Sequence, residues 1–513
     1  MASQEVYNRL HHELEERWPV VAITALTLLA ALVLPGLMKT NHLKAIPLVG
    51  GGQFSFLKGG WDVYAQGYNK FKKSTFRIKS ARKSPIVVVS PVFLGELKKL
   101  PDDVLSFAKS VDESMQTKYT GVEADVPAIP HVVKTGLTPA LVRLNPTISD
   151  EVVESMRMEL PQTSNWEEVC INDKLLRIVA MASGRIFIGP ELCRDERYLD
   201  ASINYTIDLM TAVHLISFTP SWLRPLVAPI LPPVRKLHRR IKEADAFLRP
   251  VVAARREAAK SPDYQEPDDM LQWLMNSQAK FGAKNDKELA KNQLGISFAA
   301  IHTTTLTTLN AFYNLAADPS LVPMLREDVQ QALAETDGVF TNIALQNMKK
   351  LDSFLKETLR VYPLGAASFQ RMVLKDFTLS NGQVIPAGCI IEVPSGIVNV
   401  DPEVHDSPEQ FDALRYYNMR IAKGEQDSAT KTAEVVANSQ FVSVGTSSLT
   451  FGYGRHACPG RFFAVNEIKM IMATALLHYD VKNVEGQEER IPNWKFGSQS
   501  IPDSKGKILM RKL

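Results

Sequence analysis

The ten residues Phe451–Gly460, "FGYGRHACPG", place one cysteine among three glycines and a proline. They stand directly before "RFFAVNEIKMIMATALLHY", an apolar stretch with helical spacing. Three roles suit a lone cysteine there: a small buried hydrophobe, a nucleophilic or redox thiol, and a metal ligand. A redox thiol normally has a resolving partner, and none lies nearby in the sequence. At a helix N-terminus, with Pro459 near the first turn, the macrodipole and free N–H groups favour a thiolate. A thiolate is what a soft metal prefers. Gly452, Gly454 and Gly460 permit backbone conformations closed to other residues and let a flat ligand approach the chain.

The 513-residue chain is 45% hydrophobic and 22% charged, as in an ordinary globular protein with a sizeable core. Its 59 lysines and arginines nearly balance 56 aspartates and glutamates, so no nucleic-acid partner is expected. The basic run "VRKLHRRIK" (234–242) reads as a solvated helix face. Four dispersed cysteines without a CxxC pair suggest neither a disulfide framework nor structural zinc, and point to a reducing compartment.

From Trp18 to Met38 no charge occurs, and such a helix would span roughly 30 Å, the thickness of a hydrocarbon core. This predicts a membrane anchor at 18–38. Lys39, Lys44 and Lys58 follow it with no acid before Asp62, which places the C-terminal bulk in the cytoplasm and residues 1–17 in the lumen. Residues 39–52, with "KAIPLVGGG", read as a hinge, and 53–513 as one domain. Within that domain helical periodicity dominates, and "FRIK" (76–79) and "PIVVVS" (85–90) read as strands. "FTPSWLRPLVAPILPPVRKL" (218–237) carries five prolines and cannot form one regular helix. It reads either as a buried loop or as a second membrane contact through Trp222, Leu226, Val227, Ile230 and Leu231.

The stretch that opens this reading resembles the haem-binding loop of the haem-thiolate monooxygenases, the cytochrome P-450 superfamily, written F-x-x-G-x-[RH]-x-C-x-G. Phe451, Gly454, His456, Cys458 and Gly460 fill its fixed positions. The resemblance implies haem b as cofactor, with Cys458 as axial iron ligand, Phe451 near its sulfur and His456 toward a haem propionate. Glu357 and Arg360 in "LKETLR" are spaced to pair on a helix. They match the family's E-x-x-R, and "PEQFDALRY" (408–416) supplies Arg415 as the third member of a buried structural network. Arg371 in "FQRMVL" falls where the family has a propionate-binding arginine. In "HVVKTGLT" (131–138), His131 and Thr135 replace the tryptophan and arginine of many relatives, leaving Lys134 as a substitute.

Opposite the cysteine, "AAIHTTTLTT" (299–308) aligns with the family's [AG]-G-x-[DE]-T-[TS]. By that alignment Thr303 serves dioxygen activation and relays protons. Ala300 replaces the glycine, and His302 the acid, as an alternative proton shuttle. Candidate pocket residues are Phe298, Ala299, Ile301, Leu364, Ala367 and Ile501, small or apolar throughout.

The resemblance implies a mainly α (α+β) fold, with a large helical domain and a smaller β-rich region on an N-terminal transmembrane helix. The expected function is membrane-bound hydroxylation of a lipophilic small molecule, with the catalytic domain on the cytoplasmic side of the endoplasmic reticulum membrane. No G-x-G-x-x-G follows a strand, so electrons are expected from a separate NADPH-cytochrome P-450 reductase. The motifs look like the fungal secondary-metabolism branch, including the ent-kaurene oxidase type, which points to a terpenoid substrate. Desaturation or ring rearrangement at the same haem, or a non-catalytic membrane haem protein, are the alternative readings.

Overall fold

Apolar residues at three- and four-residue intervals build twelve helices of eight residues or more in the computed structural model, which describes residues 42–282, 286–422 and 435–513 together with Thr24 and Thr27. They are α1 (Gln53–Lys70), α2 (Phe107–Ser114), α3 (Thr138–Glu159), α4 (Ile171–Phe187), α5 (Glu196–Phe218) and α6 (Pro232–Ala258). There follow α7 (Met270–Phe281), α8 (Asp286–Ala317), α9 (Leu321–Ala334), α10 (Lys349–Val361), α11 (Arg415–Ala422) and α12 (Arg461–His478). α8 runs through the middle, packed against α4, α5, α6, α10 and α12. Its side chains from Leu309 to Ala316 are almost wholly buried, as suits a helix surrounded by others.

The β-rich region is a five-stranded sheet. Its strands are β1 (Thr75–Ile78), β2 (Ile86–Val89), β3 (Leu105–Ser106), β4 (Ser368–Val373) and β5 (Ile390–Val393), in the order β1-β2-β5-β4-β3. β2 and β5 pair in parallel and are buried at every position; β2 is a continuous apolar run rather than an alternating one, and β5 is interrupted only by Glu392, whose buried carboxylate accepts from Tyr64 and Gln370. A hairpin of β6 (Asn493–Phe496) and β7 (Gln499–Pro502) lies near the C-terminus.

The segment expected to act as a hinge is docked on this sheet. Pro47 O and Val49 N exchange hydrogen bonds with the Arg77 backbone at 2.8 and 2.9 Å, and Ile46 is fully buried. The proline-rich stretch breaks into two short helical turns, Arg224–Val227 and Ala228–Ile230, before α6. The buried-loop reading fails there for Trp222, Leu226 and Ile230, which are 76%, 71% and 59% exposed. No described helix is long and apolar enough to cross a membrane. The predicted anchor at 18–38 lies, apart from Thr24 and Thr27, outside the described residues, as does the tail at 1–17.

Candidate active site

Cys458 lies at the end of a closed loop. Its N–H donates to Phe451 O at 2.7 Å, and Arg461 Nη1 returns a bond to Cys458 O at 2.9 Å. Gly452 and Gly454 sit at φ 75° and 73°, the left-handed region that a side chain resists, so the loop can turn this tightly only with glycine there. Helix α12 begins three residues later, with Gly460 as its cap. Burial pushes the Cys458 thiol up, while N–H groups of Gly460 and Arg461 and the Arg461 charge pull the other way.

Cys458 lines a cavity of about 430 Å³ whose described walls carry no charged side chain. Opposite it runs one face of α8: Gly295, Ile296, Ala299, Ala300, Thr303, Thr304 and Thr307. The spacing is that of a single helical stripe, since each residue advances the helix by about 100°. Ala299, Thr303, Leu364, Ala367, Phe451, Cys458 and Gly460 are thus brought together as the sequence led one to expect.

The structure does not bring four other candidates to that cavity. Ile301 is fully buried among core residues off the stripe, and Phe298 turns its ring edge to Tyr205 at 6.5 Å. Ile501 pairs with Trp494 in the β6–β7 hairpin. His302 points toward α5, where its Nε2 meets Ile203 O at 2.9 Å. Cavity residues without a prior sign include Asn399, Ser395 and Met270, which belong to no motif.

Three threonines of α8 satisfy themselves within the helix: Thr303, Thr307 and Thr308 hydroxyls donate to the carbonyls four residues back at 2.7, 2.8 and 2.8 Å. The Thr304 hydroxyl, buried in the cavity wall, has no protein partner.

His302 carries a directional prediction. Burial holds its imidazole below the ordinary value, with the Ile203 carbonyl opposing only in part. A folded value below the unfolded one means stability that is complete above about pH 6.5 and is lost as pH falls through the folded value. His302→Gln should therefore lose less thermal stability than the parent on acidification from about pH 7 toward pH 5. Equal losses in both proteins would remove the assignment.

Beside the main cavity, Arg371 on β4 is 5% exposed and stacks over Phe369 and Phe107, with ring-centroid distances of 4.4 and 5.2 Å. Among the described residues no carboxylate pairs with it, and burial lowers it to about 10. A buried guanidinium in that state wants an anion. His456 lines the same small hollow, stacked on Phe107, with its Nε2 at 2.8 Å from Asp102 Oδ1. Lys134 does not join them. It is exposed on a π turn at Val133–Leu137, whose Val133 and Leu137 face the main cavity instead.

On the other side of the cysteine loop, Glu357 is fully buried and accepts from Arg360 Nε and Nη2 at 2.8 and 2.7 Å, from Arg415 Nε at 3.0 Å and from Asp412 N at 3.0 Å. Arg360 gives its remaining bonds to Asn399 O, Pro408 O and Gln410 O at 2.8, 2.7 and 3.0 Å. All the donors of its fork are thereby used. The expected charged network is present in full.

The chemistry of these groups fits a haem. Cys458 turns a soft sulfur ligand to the cavity, Arg371 has no carboxylate partner among the described residues, and a β-carbon built at Gly460 would meet no protein atom within 4 Å, so this glycine keeps space clear rather than packing tightly. The site is that of a haem-thiolate protein. Residues 130–510 match the Cytochrome P450 family profile, and the chain belongs to that family.

Relatives agree. "Cytochrome P450 monooxygenase ATR3" of Stachybotrys chlorohalonatus is 37% identical over 431 residues, 84% of this chain and 89% of its own. "Cytochrome P450 monooxygenase AN1598" of Emericella nidulans is 35% identical over 464 residues, 89% of this chain and 84% of its own. "Cytochrome P450 monooxygenase olcJ" of Penicillium canescens is 34% identical over 507 residues, 96% and 92%. The family binds haem b through an axial cysteine thiolate, which when bound supplies the iron for oxygen activation. In this chain Cys458 would ligate the iron, and Arg371 and His456 would face the propionates. Thr303 would hold and pass a proton at its Oγ1, and the uncharged walls would exclude water.

Proposed function

We propose that this monooxygenase hydroxylates a lipophilic small molecule of the terpenoid or related fungal secondary-metabolite class, at a membrane surface, with electrons from an NADPH-dependent reductase. The observation that carries the reading is the cavity: about 430 Å³, uncharged, with Cys458 at one wall and Thr303 at the other. A substrate held there must be largely apolar, since a charged group would find no partner. One oxygen atom of O2 enters a C–H bond, and the other leaves as water after taking up two electrons and two protons. The exposed Trp222, Leu226 and Ile230 support contact with a bilayer, alongside the anchor proposed at 18–38 and a cytoplasmic catalytic domain.

The test is co-expression with a reductase under labelled O2, screening lipophilic metabolites for a gain of one labelled oxygen atom. Products that lose two hydrogens, or isomerise without label, would instead establish desaturation or rearrangement. Thr303→Ala should cut product formed per NADPH by about tenfold or more, with the missing electrons appearing as peroxide. Unchanged product yield without extra peroxide would remove Thr303 from the proton relay.

A further inference from the structure

Helix α10 carries, besides Glu357 and Arg360, two more buried ionisable side chains that no motif announced. Asp352 is 5% exposed and Lys356 also 5%. Asp352 pairs with Lys469 Nζ of α12 at 2.5 Å and with Arg420 of α11. Burial alone would raise its carboxyl, but Lys469 and Arg420 bring it below the ordinary value. Buried charges of this kind cost desolvation, so their partners show what they are for.

Those partners converge on one short segment. Lys356 Nζ donates to Asn438 O at 2.7 Å and to Gln440 O at 2.8 Å, Arg420 Nη2 to Ser439 O at 2.5 Å, and Phe441 N donates to Asp352 Oδ2 at 3.0 Å. Four consecutive residues are thus gripped by their backbones. The ring of Phe441, 2% exposed, then meets Phe451 edge-on, with centroids 6.1 Å apart. Phe451 lines the main cavity, and its carbonyl accepts the Cys458 N–H. A rigid path therefore runs from Asp352 through Phe441 and Phe451 to the loop.

We propose that Asp352 is a positioning residue for the Cys458 loop, acting through Phe441. The inference rests on Cys458 as iron ligand. The parent's own red-shifted Soret band, in the reduced carbon-monoxide complex, stands for that assignment before any substitution is made. With it in place, the variants test the clamp alone.

Asp352→Asn keeps the shape but removes the charge that holds Lys469 and Arg420. Phe441→Leu leaves every ion pair in place and removes the ring contact together with some core packing. In the full-length, haem-loaded protein both should move part of the Soret absorbance from the thiolate position to the unligated one. Both should also lose haem to an excess of a scavenging protein about tenfold faster, the size expected for partners that orient a metal ligand. The double variant should be no worse than the worse single one, because the two act along one path. If Phe441→Leu keeps the parent's band and haem-loss rate, the proposal fails, and this holds even where Asp352→Asn does not fold. An Asp352→Asn protein of lower thermal stability but unchanged spectrum and haem loss would equally overturn it, leaving Asp352 a purely structural ion partner.

Discussion

Cys458→Ala is expected to abolish the red-shifted Soret band of the reduced carbon-monoxide complex and to bring product formation to background. Of the four cysteines, all within the described residues, this one alone lines the cavity. Cys193 and Cys389 are buried elsewhere, and Cys170 opens α4, with its Sγ at 3.3 Å from Ser504 O. The substitution removes a sulfur that faces the cavity and leaves the loop's own backbone bonds untouched, so folding stability of the haem-free chain should change by about 1 kcal/mol or less. The spectral and the thermal measurements therefore separate a lost ligand from a lost fold. A retained thiolate band in Cys458→Ala would mean that the iron takes its ligand from another residue.

The second large effect is expected at Arg360. Arg360→Ala strands a fully buried Glu357 with Arg415 and one backbone N–H, takes the side-chain donors from Asn399 O and Pro408 O, and leaves Gln410 O with Arg415 alone. Breaking a buried pair in this way costs about 3–5 kcal/mol, a large part of the roughly 5–15 kcal/mol that holds a typical domain. Denaturant titration should show that loss, and little haem-containing protein should accumulate. Arg360→Lys keeps the charge but not the planar fork, and should fall between the two. A loss below about 1 kcal/mol in Arg360→Ala would show that the network contributes little, as exposed ion pairs do.

The haem-side loop and the E-x-x-R pair were legible because their geometry is local. Glu357 and Arg360 are three positions apart on one helix, and Phe451 and Cys458 close a turn within ten residues. Thr303 was legible for a related reason, since helical phase aligns it with Ala299 and Thr307. The same phase carries Ile301 and His302 off the stripe, which the alignment with the family did not reveal. Lys134, taken from the family alignment, lies exposed on the π turn at Val133–Leu137.

Local order along the chain was enough to establish the cysteine loop, the central helix, the Glu357–Arg360 spacing and the family to which they belong. Folding alone could show that His302 faces Ile203, that His456 meets Asp102 from 354 positions away, and that Asp352, Lys356 and Arg420 grip residues 438–441. The reason is physical. A short motif determines which side chains neighbour one another on a helix or in a turn, but whether a charge is buried, and against what, depends on elements brought together from distant parts of the chain.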